Sequence, residues 1–427
     1  MREDIKKRIE AVRAGKVPAN YKRTDSGIMP EAWMDSTVGD IIEFYNEKST
    51  INNEYPVLTS ARSGLVLQTE YFEGQVTREE NAGYNVMPYG YITYRSRSDD
   101  GRFTFNQNTV VSKGIVSCFY PVFRVKEESA VPEFVLSYLN NYLGRQIVKE
   151  IVGTSQLVLS EKKLSELRMP CPPFAEQQKI AEILATCDRV IELKQQLLEE
   201  KHRQKQWLMQ KLLVPNSGVR LPGYAGKWKQ LRLRDLGSFS KGSGISNDDC
   251  SSGDCPCIKY GDIYVAYSEY FIDAVSHTEE DIFGKAPTVS DGALLFTGSG
   301  EDPKEIGKCT VYLGNEPIAV GGDIIIMKPK RTMVNPLFLA YALNAYPAIK
   351  QKACLGQGYS IVHIYGEDIK KIGVYVPPTI EEQERIAEII KESNSATCLI
   401  EDEIAEWQQK KKALMQLLLT GLVRVNA

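Results

Sequence analysis

Residues 172–181 read PPFAEQQKIA, and residues 377–387 read PPTIEEQERIA. In each stretch a proline pair, which stops a preceding strand, is followed by acidic residues that favour the positive end of a helix dipole. Glu176 aligns with Glu382, 206 positions further along the chain. The two stretches therefore predict two equivalent helix starts.

The two helical patterns also end alike, with LMQKLL at 208–213 and LMQLLL at 414–419. Leu208 aligns with Leu414, again 206 positions apart, so about 38 residues repeat without an insertion. A helix of that length spans roughly 57 Å at 1.5 Å per residue. Two long helices of equal length suggest a spacer around which the rest of the chain is organised.

The pattern within each helix predicts that the two pair with each other. In a 4,3-spaced ladder over 180–212, and in its equivalent over 386–418, seven of ten positions are apolar. This is typical of a coiled coil, although a single buried amphipathic helix has a similar stripe. Antiparallel pairing places Lys205 opposite Ser393, whereas parallel pairing places it opposite Lys411. The sequence therefore favours the antiparallel arrangement.

Bulk properties limit the class of protein. A chain of 427 residues predicts two to four domains, and its net charge of −3 does not indicate a basic nucleic-acid-binding domain. No apolar run approaches the ~20 residues of a membrane helix, and the charged N-terminus lacks the apolar core of a signal peptide. A cytoplasmic location is expected.

The nine cysteines are scattered and odd in number, which argues against a disulfide framework. Cys250, Cys255 and Cys257 are clustered, but a second paired half of a zinc site is missing and the chain has only three histidines. No metal site is predicted.

Turn-rich segments and the helix repeats divide the chain into five parts: an N-terminal helix and lead-in (1–20), a first body (21–173), a central helix (174–214), a second body (215–378), and a distal helix and tail (379–427). Short alternating runs of Val, Ile, Tyr, Phe and Thr predict strands in both bodies. The N-terminal helix resembles the end of a helix repeat, so the chain is predicted to be circularly organised.

The two bodies share a few matching sequence segments, which we call their common frame. The helix at 132–140 matches 336–344, and Gly153 matches Gly358. Between these anchors they barely resemble each other, which suits two bodies that recognise different things.

These features together resemble the specificity subunit of type I restriction–modification systems. The resemblance rests on the two helix starts and ends, on YPVLTSARSG at 55–64 and on CPCIKYGDI at 255–263. It covers nearly the whole chain, and the doubled helix start is its most specific part.

The resemblance implies an α+β fold, with two α/β target-recognition domains in a pseudo-two-fold arrangement separated by two long antiparallel coiled-coil helices. Each domain would read one half of a bipartite site in double-stranded DNA. The helices would set the half-site spacing and dock two methyltransferase subunits, which restriction subunits join. The chain would catalyse nothing and bind no cofactor, with S-adenosylmethionine, ATP and Mg²⁺ on the partner subunits.

Candidate DNA contacts are polar, basic and aromatic residues in loops. Arginine can read guanine with two hydrogen bonds or hold a phosphate, although solvated hairpins and local capping explain such residues equally well. The candidates are Thr59, Ser60, Arg62, Tyr94, Arg95, Arg97, Thr154, Ser155, Gln156, Lys259, Tyr260, Ser299, Lys304, Tyr359 and Ser360.

Candidate spacer and partner-binding residues lie on the two helices. They are Glu176, Gln177, Ile180, Ile191, Leu208, Glu382, Gln383, Ile386, Ile404 and Leu414.

Two other functions are alternatives to this interpretation. Cys171-Pro172-Pro173-Phe174 is close to an adenine methyltransferase motif, but cysteine lacks the side-chain carbonyl needed there, and no cofactor loop accompanies it. The stretch GSGEDPKEIGKC at 298–309 has the wrong spacing for a phosphate loop. A methyltransferase or nuclease chain is the alternative, and an orphan two-headed DNA-binding adaptor is a third possibility.

Overall fold

The computed structural model of the chain describes residues 3–62, 64–71, 80–150, 157–215, 217–246, 249, 253–358 and 361–425. The chain forms two compact units. Unit 1 comprises Met1–Lys194 and Glu403–Ala427, and unit 2 comprises Gln195–Asp402.

Unit 1 mixes helices with short strands. Its elements are α1 (Glu3–Arg13), β1 (Tyr21–Thr24), β2 (Gly27–Pro30), β3 (Met34–Thr37), α2 (Val38–Ile41), β4 (Ile42–Tyr45), β5 (Leu58–Ala61), β6 (Gly64–Leu67), α3 (Gln68–Tyr71), β7 (Asn85–Pro88), β8 (Ile92–Tyr94), β9 (Arg97–Ser98), β10 (Phe105–Gln107), β11 (Lys113–Val116), β12 (Val122–Val125), α4 (Pro132–Glu150), β13 (Leu157–Val158), α5 (Glu161–Glu166), β14 (Arg168–Cys171) and the start of α6 (Phe174–Leu212).

The largest sheet of unit 1 has the order β10-β8-β12-β4 and is antiparallel throughout. Apolar and aromatic side chains favour these strands because they fit a pleated, buried surface. Phe105, Phe123 and Phe134 are fully buried where α4 covers the sheet. The core of unit 1 therefore lies between this sheet and α4.

Unit 2 contains β15 (Lys229–Arg232), α7 (Leu233–Leu236), β16 (Gly237–Lys241), β17 (Cys255–Ile258), α8 (Tyr260–Val265), β18 (Tyr270–Phe271), β19 (Ser276–Thr278), α9 (Glu280–Phe283), β20 (Thr288–Val289), β21 (Leu294–Thr297), β22 (Ser299–Gly300), β23 (Cys309–Tyr312), β24 (Ile318–Val320), β25 (Ile324–Pro329), α10 (Pro336–Leu343), α11 (Tyr346–Leu355), β26 (Val362–His363), α12 (Gly366–Ile369), β27 (Gly373–Val376) and most of α13 (Ile380–Leu418).

Unit 2 has a five-stranded sheet, β16-β25-β21-β23-β18, and a four-stranded sheet, β19-β17-β24-β20. Two of the pairs, β17–β24 and β18–β23, are parallel. Helix α10 packs on β23, and its Phe338, Leu339 and Tyr341 are fully buried. The α+β class predicted from the sequence is confirmed in both units.

A common frame recurs in the two units. In unit 1, β3 pairs antiparallel with β14 just before α6, and in unit 2, β15 pairs antiparallel with β27 just before α13. The Asn140 side chain bonds both backbone polar groups of Phe105, at 2.9 and 3.0 Å. Asn344, 204 positions later, does the same to Cys309, at 3.1 and 2.5 Å. The internal repeat is thus structural as well as sequential.

The long helices pair in an antiparallel manner, as predicted. In unit 1, Lys194 of α6 pairs with Glu403 of α13 at 2.6 Å. In unit 2, the Nζ of Lys205 donates to the Asn394 side chain at 2.7 Å and to Glu269 at 2.9 Å. Lys205 thus meets a polar residue of α13, as expected, but the residue is Asn394 rather than Ser393.

The N-terminal segment packs beside the C-terminal tail in unit 1. The Tyr21 hydroxyl donates to the Gly421 carbonyl at 2.6 Å, and Arg8 Nη1 donates to the Leu422 carbonyl at 3.1 Å. These bonds join residues about 400 positions apart, as a circularly organised chain predicts.

Candidate nucleic-acid interface

Two glutamines fix the starts of the long helices. The Oε1 of Gln177 accepts from the Val131 backbone N–H at 2.9 Å, and its Nε2 donates to the Pro172 carbonyl at 2.9 Å. The Oε1 of Gln383 accepts from the Asn335 N–H at 2.7 Å, and its Nε2 donates to the carbonyl of Pro377 in the preceding proline pair. Both side chains are buried. Partner binding by these glutamines is therefore corrected to an internal role.

The neighbouring glutamates are buried as well. Trp33 Nε1 donates to Glu176 at 3.0 Å, and Trp228 Nε1 donates to Glu382 at 3.4 Å. Glu382 also accepts from Arg220 at 3.0 and 2.8 Å, and Glu176 has an equivalent arginine in the C-terminal tail. Their predicted partner contact is likewise corrected, because both carboxylates are saturated within their own unit.

The six apolar helix candidates differ in exposure. Ile180, Ile386 and Ile404 are buried, which makes them packing residues. Ile191, Leu208 and Leu414 are half-buried, and partner contacts at these three residues stay predictions. The large apolar side chains that the helices expose could not be told from buried ones in the sequence; they are Phe174, Leu193, Leu197, Trp207 and Leu399. An apolar residue in a helical repeat is assigned inward by default, so only the structure separates the two sets.

Several of the unit 1 candidates come together. Ser60, Arg62, Arg95 and Arg97 line an open concavity of about 580 Å³, which we name the arginine cleft. Its remaining lining residues are Ala61, Ser98, Asp99, Asp100, Arg102 and Thr104. Thr59, on the same strand as Ser60, is half-buried. Four guanidinium groups in one concavity suit an anionic or base-edge ligand.

Asp100 organises one wall of the arginine cleft. Its carboxylate accepts from the Ser98 hydroxyl at 3.0 Å, from the Arg102 backbone N–H at 3.1 Å, and from the Arg62 guanidinium. These hydrogen bonds, led by the one from Arg102, lower the pKa of Asp100 below its usual range. The wall is therefore held by a charged carboxylate at neutral pH.

Tyr94 lies elsewhere. It is fully buried in the core of unit 1, and its hydroxyl donates to the Leu159 carbonyl at 3.1 Å. Burial raises the pKa of this phenol. Its predicted DNA contact is corrected to a core hydrogen bond, because β8 is a central strand with both faces covered.

In unit 2, Lys259 and Tyr260 lie at the start of α8, where the Lys259 backbone N–H donates to Asp262 at 3.0 Å. Lys259 is half-buried and Tyr260 is exposed, so DNA contact at both stays a prediction. Ser299 is buried, and its carbonyl accepts from the Tyr264 hydroxyl at 2.9 Å. A DNA contact through the Ser299 side chain is therefore corrected.

Lys304 is exposed and lines a second basic concavity of about 330 Å³, which we name the lysine pocket. Its other charged lining residues are Lys205, Lys308, Lys352, Glu269 and Glu305. Lys352 is 2% exposed, and its Nζ donates to the Gly307 carbonyl at 2.8 Å. Burial lowers its pKa to about 8. Lys308 and Lys352 could not be predicted as part of this pocket, because a lysine gives no sign of burial in a sequence.

Five further candidates, Thr154, Ser155, Gln156, Tyr359 and Ser360, lie outside the described residues. Within the described ranges, no group of three or more His, Cys, Asp or Glu side chains is placed to hold a metal ion. None of the helices described is long and apolar enough to cross a membrane.

One protein sequence and two solved structures are similar to this chain. A specificity subunit of the type I restriction enzyme MjaVIII from Methanocaldococcus jannaschii is 22% identical over 446 residues, covering 95% of this chain and 96% of that protein. The crystal structure of a type I restriction–modification S subunit from M. genitalium covers 94% of this chain and 97% of its own, with a TM-score of 0.57 and 15% identity. A chain from a structure describing complex assembly and conformational transition of a type I R-M system covers 92% and 99%, also with a TM-score of 0.57 and 15% identity. At this identity the two structures concern the fold alone.

The family model for the type I restriction modification DNA specificity domain matches the chain twice, at residues 30–201 and 225–407. Each match takes in one body and most of the long helix that follows it. The chain therefore belongs to the family of type I restriction–modification DNA specificity subunits.

Proposed function

We propose that each unit reads one half of a bipartite site in double-stranded DNA, and that the two long helices set the spacing of the halves. As a member of its family, the chain is a specificity subunit and not by itself an enzyme. The duplicated frame is the observation that carries the proposal, because the same helix start, ribbon and asparagine bond recur around bodies that otherwise differ.

The two basic concavities support DNA contact by each unit. The arginine cleft of unit 1 and the lysine pocket of unit 2 are built from different residues on a shared frame. Arginine suits base-edge reading, whereas lysine acts on phosphates as a compact charge. Local basic sites of this kind are compatible with DNA binding by a chain whose net charge is −3.

The helices have the properties of a fixed spacer. Both have 39 residues, which corresponds to roughly 58 Å each. Polar contacts such as Lys194–Glu403 and Lys205–Asn394 fix their register. Half-sites on such a spacer would lie no more than about 17 base pairs apart.

The exposed apolar side chains of the helices support docking of partner proteins. Leu197, Trp207 and Leu399 are 46%, 51% and 65% exposed, and exposed apolar surface is typical of interaction sites. We propose that two methyltransferase subunits bind here and that restriction subunits join them. S-adenosylmethionine, ATP and Mg²⁺ would bind to these partner subunits rather than to this chain. The complex would be located in the cytoplasm.

Methylation mapping tests the proposal. DNA from cells that express the chain with its methyltransferase subunit is compared with DNA from cells that express the methyltransferase alone. We expect a split methylated sequence only when both are present. Methylation of one continuous short site, or methylation independent of this chain, would contradict the two-headed reader. Failure of the methyltransferase to co-purify with the chain would favour the orphan adaptor.

A further inference from the structure

The four arginines of the arginine cleft differ in how they are held. Arg62 is ion-paired with Asp100, whose carboxylate also accepts from Ser98 and from the Arg102 backbone. The guanidinium group of Arg62 is therefore held by Asp100 as part of the cleft wall. Within the described part of unit 1, the guanidinium groups of Arg95, Arg97 and Arg102 make no ion pair with a carboxylate.

Among these four arginines, and within the described residues, Arg97 has an aromatic ring as its partner. Its guanidinium carbon lies 4.9 Å from the centroid of the Phe119 ring. Phe119 is 54% exposed, so the ring is not a core residue. Stacking on an aromatic face fixes the plane of a guanidinium group and leaves its N–H edge free to donate.

The backbone holds both members of this pair in place. Arg97 is on β9 and pairs with Val158 of β13. The Ser96 N–H donates to the Phe119 carbonyl at 3.2 Å, which brings the 117–121 turn beside β9. The Arg97–Phe119 stack is thus built by hydrogen-bonded backbone on both sides. A guanidinium group positioned in this way loses little freedom when it binds a ligand.

We propose that Arg97, supported by Phe119, reads a guanine in the half-site of unit 1. This inference rests on the proposed function and assigns one residue within it. Guanine presents two acceptors, O6 and N7, on its major-groove edge, which match the two-pronged N–H edge of a guanidinium group. Arg95 and Arg102, which lack both a carboxylate partner and a ring within the described residues, hold backbone phosphates instead. Phe119 is a positioning residue that acts through Arg97.

A comparison of two charge-preserving variants tests this assignment. The chain is assembled with its methyltransferase subunit, and binding is measured to the mapped target and to duplexes with single base-pair changes. R97K keeps the charge but loses the two-pronged edge. We expect discrimination at one G·C pair to fall on the order of 10- to 100-fold, with the salt dependence of binding unchanged. The matched variant R95K alters a phosphate contact, so any loss of affinity that it causes should be the same for all duplexes and not confined to one base pair.

Two further variants separate reading from phosphate binding. F119A should weaken discrimination at the same G·C pair as R97K, because the guanidinium plane is no longer fixed. R95Q should weaken binding to all duplexes alike and reduce the slope of log affinity against log salt by about 1. All substituted side chains are exposed, and melting temperatures equal to that of the wild type confirm folding.

The outcomes are distinct. Loss confined to one G·C pair in R97K and F119A supports the assignment. Unchanged discrimination, uniform weakening by R97K, or loss at an A·T pair would overturn it while leaving the split target of the wild type intact. A wild-type complex without a split target would overturn the proposed function, and this inference with it.

Discussion

Arg424 and Glu176 form an ion pair that joins the C-terminal tail to the start of α6, with the carboxylate buried and the guanidinium group partly exposed. The Nε and Nη2 of Arg424 donate to the two carboxylate oxygens of Glu176, each at 2.6 Å. The hydrogen bonds to Glu176 raise the pKa of the Arg424 guanidinium. Arg220 and Glu382 repeat the pair in unit 2. Each long helix thus starts on a carboxylate clamped by an arginine that follows the end of the other long helix.

Replacing Arg424 by alanine should destabilise unit 1. Glu176 is 2% exposed, so R424A leaves a buried charge without its cation, which costs about 3 kcal/mol. Hydrogen exchange of unit 1 amides, measured against those of unit 2, reports the loss. The matched control within unit 1 is R189A, which removes an exposed pair with Glu192 and should cost about 0.5 kcal/mol. Equal effects of the two variants would contradict a stabilising role for Arg424 beside the buried Glu176 carboxylate.

Lys352 predicts a pH-dependent stability of unit 2. Its folded-state pKa of about 8 lies below the ordinary 10.5, so the unfolded state binds more protons between these values. Stability therefore rises with pH in this window, by about 1 kcal/mol from pH 8 to pH 9. Burial raises the pKa of Cys309 to about 12, which acts in the opposite sense above pH 9.

The variant K352M isolates this contribution. Methionine has no titrating group, so the rise in stability between pH 8 and pH 9 should be lost, and denaturant unfolding at the two pH values measures it. K308M serves as a comparison, because burial also lowers the pKa of the half-buried Lys308. A K352M protein with the wild-type pH slope would show that Lys352 is not responsible.

Tyr94 offers a test of its corrected assignment. The variant Y94F removes the hydroxyl that bonds the Leu159 carbonyl, which should cost about 1 kcal/mol of unfolding free energy. Sequence discrimination by the assembled complex should stay unchanged, because the ring is in the core. Altered discrimination at one base pair, without loss of stability, would return Tyr94 to the DNA interface.

What the sequence predicts here depends on the distance between interacting residues. The helix starts at Glu176 and Glu382 are legible because the proline pair, the acidic residues and the repeat are local signals. The Arg424–Glu176 pair joins residues 248 positions apart, and no local sequence pattern predicts it. The burial of Tyr94 is hidden from the sequence for a related reason, since only the strand order reveals that β8 lies between β10 and β12.

The arginine cleft was partly predictable. Tyr94, Arg95, Arg97 and Arg102 form a cluster of basic and aromatic residues in the sequence, which makes the segment a candidate. The different roles of the arginines in the cleft could not be predicted from the sequence. They depend on Phe119, which the fold brings beside Arg97 from another part of the chain.

The central claim is that two readers are held at a distance set by the helices, and a matched deletion tests it most directly. Removing residues 190–196 and 403–409 takes one heptad from each helix, including both partners of the Lys194–Glu403 pair. Alanine substitution of exposed positions in the same segments, at constant length, is the control. Methylation mapping should then give both half-sites unchanged, with a spacer about three base pairs shorter in the deletion variant. A spacer of the original length would contradict the account.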